Sequence, residues 1–174
     1  IAFFGIYFKL QSFIYMPANG LIQGMRPLIS YNYGARHFDR VKKIIKVSII
    51  STAVILCCGT IIFMGLPELV LSWFNATEQL LEIGIIGLRV ISPCFILSTM
   101  GVVISGVFES LGKGRQSLTI SLLRQFIITL PLAYILLKVI GLNGIWLSFV
   151  IAEGIASVIA VILIKKELHN FKVD

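Results

Sequence analysis

Residues 47–66, VSIISTAVILCCGTIIFMGL, contain no charged side chain. A helix needs about 20 mainly apolar residues to cross the hydrocarbon core of a bilayer, and only a helix satisfies its own backbone polar groups there. The stretch therefore predicts a transmembrane helix. The whole chain agrees, because 57% of its 174 residues are hydrophobic and only 13% are charged, against about 25% charged in a soluble domain. We expect an all-α integral membrane protein.

Four further apolar runs flank this stretch. Three of them contain one charged residue each: residues 83–108 with Arg89, 117–137 with Arg124, and 145–164 with Glu153. The run at residues 1–25 is less apolar, and glycine-rich turns separate the others. The sequence predicts five spanning helices, at about residues 1–32, 44–74, 78–111, 115–140 and 143–168. Because the chain begins inside an apolar run and without methionine, we expect a longer parent protein.

A basic segment separates the first two predicted helices. It contains Arg36, Arg40, Lys42, Lys43 and Lys46. We interpret it as a cytoplasmic loop, because cytoplasmic loops carry an excess of Lys and Arg. Five alternating spans would place ten basic residues on this face and one on the other. We therefore expect a cytoplasmic carboxy terminus and a plasma membrane, in a bacterium the inner one.

The net charge of +7 does not indicate a nucleic-acid partner, because the basic residues lie between apolar runs and form no stripe. The expected partner on most surfaces is the lipid bilayer. No spacing of residues typical of a metal site or a catalytic nucleophile is present, and Gly112-Lys113-Gly114 lacks the Ser or Thr that a phosphate-binding loop needs after its lysine. We predict a secondary transporter and no enzyme.

Ionisable residues inside a membrane are costly and indicate function. At about 1.5 Å per residue, we expect Glu153, Lys9 and Arg89 to share a layer in the outer half of the bilayer, and Arg124 to lie in a different, inner layer. One interpretation is a polar cavity in which Glu153 binds a proton or a cation. The alternative is a structural pair between Glu153 and Lys9 or Arg89, with the arginines snorkelling to the interfaces.

Three neutral side chains could line the same cavity or join helices by hydrogen bonds: Gln11, Asn19 and Gln125. The predicted cavity set is therefore Glu153, Lys9, Arg89 and these three amides.

Several short motifs occur in an order that resembles the carboxy-terminal part of the multidrug and toxic compound extrusion (MATE) family. They are Gly24-x-x-Pro27, Tyr31-Asn-Tyr-Gly-Ala35, Ser105-Gly106, Leu111-Gly-Lys-Gly114, Leu123-Arg-Gln125, Pro131 and Gly141-Leu-Asn-Gly-Ile-Trp146. The resemblance covers essentially the whole chain, which would supply the last five of twelve helices.

The resemblance implies a transporter of two six-helix bundles, of which this chain forms most of the second. It implies export of small cationic, amphipathic drugs in exchange for Na⁺ or H⁺, with no other cofactor. The missing amino-terminal bundle of the same protein would be the main partner. Some family members carry an acidic cation ligand midway along the tenth helix, where this chain has Ser98, Thr99 and Met100. The coupling acid is then either Glu153 or a residue of the missing bundle.

Two other functions stay open at this point. A flippase of lipid-linked sugars, from the wider superfamily, would need a more cationic cavity, which Lys9, Arg89 and Arg124 could supply. A membrane subunit that transports nothing would have fully paired buried charges and no cavity.

Overall fold

The computed structural model describes residues 2–73 and 78–171. Within these ranges the chain is helical throughout, with short turns between the helices. The helices are α1 (Ala2–Gly34), α2 (Phe38–Gly65), α3 (Pro67–Ser72), α4 (Glu78–Ile91), α5 (Pro93–Ser110), α6 (Gly114–Leu122), α7 (Thr129–Ile140) and α8 (Leu142–Asn170), with a π-helical turn (Leu123–Ile127) between α6 and α7.

Four helical segments are long and apolar enough to cross a membrane: Phe38–Gly65, Pro93–Ser110, Gly114–Ile140 and Asn143–His169. The protein is therefore an all-α integral membrane protein, as predicted. The first predicted span, α1, has 33 residues, which is long enough to cross, but it is less apolar than the four. Several of its polar residues line a cavity.

The helix ends differ from the predicted ones at the basic segment and at two proline residues. The second helix begins at Phe38 and not near residue 44, so most of the basic segment is helical. It ends at Gly65, and the short α3 starts with Pro67, since proline is favoured in a first helical turn. Pro93 likewise begins α5 and divides the third predicted helix at Ser92.

Helix α5 lies at the centre of the bundle and packs against α1, α2, α6 and α8. Small residues allow these close approaches. A methyl group at Gly106 would lie 2.6 Å from Cγ2 of Ile22, and one at Gly59 would lie 2.8 Å from Cγ2 of Ile14. Ala152, Ala156 and Ala160 of α8 are completely buried. Two clusters of buried apolar side chains, one around Phe95 and one around Phe108, fill the space between the helices.

Candidate functional site

A polar cavity of about 540 Å³ opens between α1, α5 and the π-helical turn. Amides, hydroxyls and a guanidinium contribute to its wall, although the surrounding helices are mostly apolar. Its lining residues are Gln11, Ser12, Tyr15, Met16, Asn19, Val102, Arg124 and Gln125. The volume lies in the range typical of sites for drug-sized molecules, about 300–1,000 Å³.

The charge on the cavity wall belongs to an ion pair between the π-helical turn and α8. Nε of Arg124 lies 3.0 Å from Oε1 of Glu153, and the two side chains are 17% and 11% exposed. The N–H group is not aligned for a hydrogen bond, and Oε2 of Glu153 is buried without a hydrogen-bond partner. Glu153 therefore keeps an unused acceptor beside a cavity, where a proton or a cation would find a ligand.

The local backbone explains how Arg124 reaches this position. Ile128 N–H donates to the carbonyl of Leu123 at 3.2 Å, which is the π-helical spacing, and the hydroxyl of Thr129 donates to the carbonyl of Arg124 at 2.6 Å. Pro131, eight residues after Leu123, cannot donate to the preceding turn, so the helix reorganises just before it. Single π-helical turns are rare and occur often at functional sites.

Gly101 of α5 lies against the arginine side chain, at a distance where even a methyl group would make ordinary van der Waals contact. A methyl group at Gly101 would lie 3.5 Å from Cδ of Arg124 and 3.8 Å from Oγ of Ser157. The hydroxyl of Ser157 in turn donates to the carbonyl of Leu97 at 2.5 Å. The aliphatic part of Arg124 therefore rests on α5 while its charged end meets α8.

Tyr15 connects the cavity to α5. Its hydroxyl lies 2.5 Å from Oγ of Ser98, and the serine also donates to the carbonyl of Phe95 at 2.8 Å. Ser98 is one of the residues that stand where the family resemblance led us to look for an acid. In this chain Ser98 provides a neutral hydroxyl there, which pairs with the hydroxyl of Tyr15. A second buried phenol, Tyr7, has no hydrogen-bond partner in the described part of the chain.

A narrower cleft of about 150 Å³ shares Asn19, Arg124 and Gln125 with the cavity and continues along α5. At its other end Arg26 of α1 forms an ion pair with Glu109 of α5. The carboxylate of Glu109 also accepts a hydrogen bond from Ser117 at 2.8 Å. Sequence reasoning did not single out these residues, because Arg26 and Glu109 lie one residue beyond their apolar runs. Arg26 and Glu109 directly follow the first and the third run, which end at the same predicted face of the membrane, and this was the available signal.

The structure brings together only part of the predicted set. Gln11, Asn19 and Gln125 line one cavity, and Glu153 lies directly behind its wall. Lys9 and Arg89 are exposed, and neither forms an ion pair with Glu153. Both lie outside the lining of the cavity and of the cleft.

The expectation that Arg124 occupies a separate layer from Glu153 is wrong. Each residue is the eleventh of a 27-residue span, Gly114–Ile140 and Asn143–His169. The two spans start at opposite ends of the bundle, and each Cα lies about 15 Å from the start of its own span. The long arginine side chain covers the remaining distance between the two Cα atoms.

The basic segment is also arranged differently from a loop. Arg36 lies in the turn, in the left-handed region with φ 57°. Arg40, Lys42, Lys43 and Lys46 belong to the first turns of α2. The helix continues beyond the apolar run because these side chains remain at the surface, where their charges stay solvated.

Comparison with known proteins gives a consistent assignment. The sequence profile of the MatE family matches residues 1–135. The multidrug export protein MepA of Staphylococcus haemolyticus (strain JCSC1435) is 30% identical over 175 residues, and the alignment covers 100% of this chain and 38% of MepA. MepA of Staphylococcus aureus (strain bovine RF122 / ET3-1) is 29% identical over 174 residues, with the same coverage.

Solved structures show the same fold. The MATE multidrug transporter DinF-BH has a TM-score of 0.88 at 29% identity, covering 98% of this chain and 38% of DinF-BH. An outward-facing MATE transporter of the MOP superfamily reaches 0.94 at 20% identity, covering 99% of this chain and 39% of that one. The chain thus spans about 38% of the length of the relatives that it matches. Because the family profile covers well over half of it, the chain belongs to the MatE family of multidrug and toxic compound extrusion transporters.

Proposed function

We propose that the complete protein exports small cationic, amphipathic compounds in exchange for Na⁺ or H⁺, and that Glu153 is the coupling acid. The observation that carries this proposal is the ion pair between Arg124, which lines a polar cavity, and Glu153, which lies behind its wall. Relatives support drug transport, since DinF-BH is a multidrug transporter, and MepA, a multidrug export protein, supports its direction.

The ion pair offers a simple coupling mechanism. While Glu153 is ionised, it neutralises Arg124, and the cavity carries no net charge from this pair. A proton or Na⁺ bound at the unused Oε2 weakens the pair, and the guanidinium charge then acts on the cavity. A cationic drug about 7 Å away would be repelled by about 2 kcal/mol at an effective dielectric constant of about 20. Loading the coupling ion therefore expels the drug, which is the behaviour of an antiporter.

The remaining expectations about the protein in the cell follow from charge and family. The basic face, including Lys113 and Lys165, favours a cytoplasmic side that also holds the carboxy terminus. Staphylococcal relatives favour a bacterial plasma membrane. The lipid bilayer and the amino-terminal bundle are the partners, and no cofactor besides the coupling ion enters the mechanism.

Transport into proteoliposomes tests the proposal. The complete protein should move ethidium in response to an imposed Na⁺ or H⁺ gradient, and the ion that drives it is the coupling ion. Glu153→Gln should abolish gradient-driven movement. Glu167→Gln is the matched control, because Glu167 is an equally buried acid of α8 that pairs with Lys113 at 2.5 Å and lies outside the cavity.

Movement that persists in Glu153→Gln would contradict the assignment and place the coupling acid in the amino-terminal bundle. Loss in both variants would mean that breaking any ion pair of α8 disables the protein, which would also contradict a specific role for Glu153.

The flippase alternative receives less support. It requires a strongly cationic cavity, but Lys9 and Arg89 do not line it, and Arg124 is neutralised by Glu153. A subunit without transport function would leave no cavity, whereas the described helices line an open one of about 540 Å³.

A further inference from the structure

An apolar groove of about 520 Å³ runs between α1 and α2, on a different face from the polar cavity. Aliphatic side chains form most of its wall, and a single charged residue, Lys43, belongs to the lining. Gly24 borders open space in the groove, because a methyl group placed there would meet no atom within 4 Å.

The groove has a polar end and an apolar end. Since α1 and α2 are antiparallel neighbours joined by a short turn, Leu28 lies at the level of Lys43, and Leu21 lies at the level of Ser51. The charged group is therefore at the end nearest the turn, and the apolar wall extends about 10 Å from it along the helix axis. A groove with this charge and apolar wall fits a phospholipid, whose phosphate would lie at the surface and whose acyl chain would lie along the wall.

The charge around Lys43 favours an anionic lipid. The segment from Arg36 to Lys46 contains five basic residues and one acid, Asp39, whose carboxylate lies 3.5 Å from Nζ of Lys42. Lys43 forms no ion pair with any described residue. Clusters of four to eight basic residues at the end of a transmembrane helix attract anionic headgroups, and lysine binds phosphate as a point charge.

We propose that this groove binds an anionic phospholipid, with its phosphate on Lys43 and one acyl chain along Leu21, Gly24 and Val47. The lipid would seal the surface between α1 and α2. Because α1 also carries Gln11, Tyr15 and Asn19 of the polar cavity, such a lipid would steady one wall of that cavity. The site does not depend on the transport activity proposed above.

Native mass spectrometry of the complete protein tests this proposal. The protein is extracted from bilayers that contain phosphatidylglycerol and phosphatidylcholine with the same acyl chains, and the retained lipid is identified. We expect one phosphatidylglycerol to be retained in preference to phosphatidylcholine. Lys43→Gln should weaken its retention about fivefold, which corresponds to one lysine at an anionic surface. Gly24→Leu should displace the acyl chain, because the new side chain would occupy open space in the groove.

Two matched variants separate a defined site from general attraction. Lys46 is an exposed lysine of the same helix that does not line the groove, and Gly20 is equally open but one turn removed from it. Lys46→Gln and Gly20→Leu should both retain the lipid. Equal loss in Lys43→Gln and Lys46→Gln, equal retention of the two lipids, or full retention in Gly24→Leu would each overturn the proposal. So would a structure of the complete protein in which another helix fills the groove.

Discussion

At the scale of single residues, the decisive feature is the ion pair between Arg124 and Glu153. A charge with few partners in a membrane is expensive, and it is tolerated when an opposite charge lies close by. Here the acceptor Oε2 stays unused beside the cavity. The geometry gives a structural contact between the π-helical turn and α8 and, under the proposed function, a binding group for the coupling ion.

The strength of this contact can be measured as a stability difference. Arg124→Gln and Glu153→Gln should each lower the free energy of unfolding by about 3 kcal/mol, because each leaves one buried charge without its partner. The double variant should recover much of that loss. Denaturant unfolding in detergent gives the three values, and strictly additive losses would show that the two side chains do not interact.

Sequence reasoning identified Glu153 and the three amides of this site, but it placed Arg124 in a different layer and did not predict the pair. Gln11, Asn19 and Gln125 were predictable because amides are unusual in apolar helices, and all three line the cavity. The partner of Glu153 was not predictable, because it depends on the rotation of each helix and on the π-helical turn. Lys9 and Arg89, which shared the expected depth of Glu153, lie on other surfaces.

At the scale of the helices, the close approach of α1 and α5 positions the cavity wall. Both helices contribute to it, through Tyr15 and Asn19 on α1 and Val102 on α5. Gly106 provides the contact, since a methyl group there would lie 2.6 Å from Ile22 and 3.3 Å from Cε of Met25. A glycine at this point therefore sets the distance between the two helices.

Gly106→Ala should push the helices apart and lower the free energy of unfolding by about 1–3 kcal/mol, which is typical of overpacking. Gly20→Ala is the control on α1, where the new methyl group meets no atom within 4 Å. That control should be neutral or stabilising by up to about 1 kcal/mol, because alanine favours helix. Thermal unfolding of both variants checks the difference, and an unchanged Gly106→Ala would refute the close contact.

The positions of the apolar spans were predictable because hydrophobicity is a local property of the sequence, but five helices were expected and the described residues form eight and a π-helical turn. The breaks within the predicted helices were less predictable. The division at Ser92 and the π-helical turn before Pro131 arise from missing backbone donors and neighbouring packing, and the long start of α2 arises from solvated lysines. Proline marked two of these places in the sequence, but not the geometry that each would adopt.

At the scale of the whole molecule, the described helices line one side of an open polar cavity. The chain spans about 38% of the length of its relatives, so under the proposed function the rest of the protein would supply the opposite wall and the remaining path of the drug. The central claim is that a cation at Glu153 and a drug in the cavity exclude each other. Linkage requires this effect to be reciprocal, so each ligand must lower the affinity for the other by the same factor.

The most direct measurement is the affinity of the complete protein for ethidium at increasing concentrations of Na⁺ and, separately, of H⁺. For the coupling ion, the account predicts that ethidium affinity falls by about 30-fold between the unloaded and the loaded state, as about 2 kcal/mol of repulsion requires. In Glu153→Gln the affinity should no longer depend on that ion, and in Glu167→Gln it should behave as in the unmodified protein. An undiminished dependence on the ion in Glu153→Gln would contradict the account.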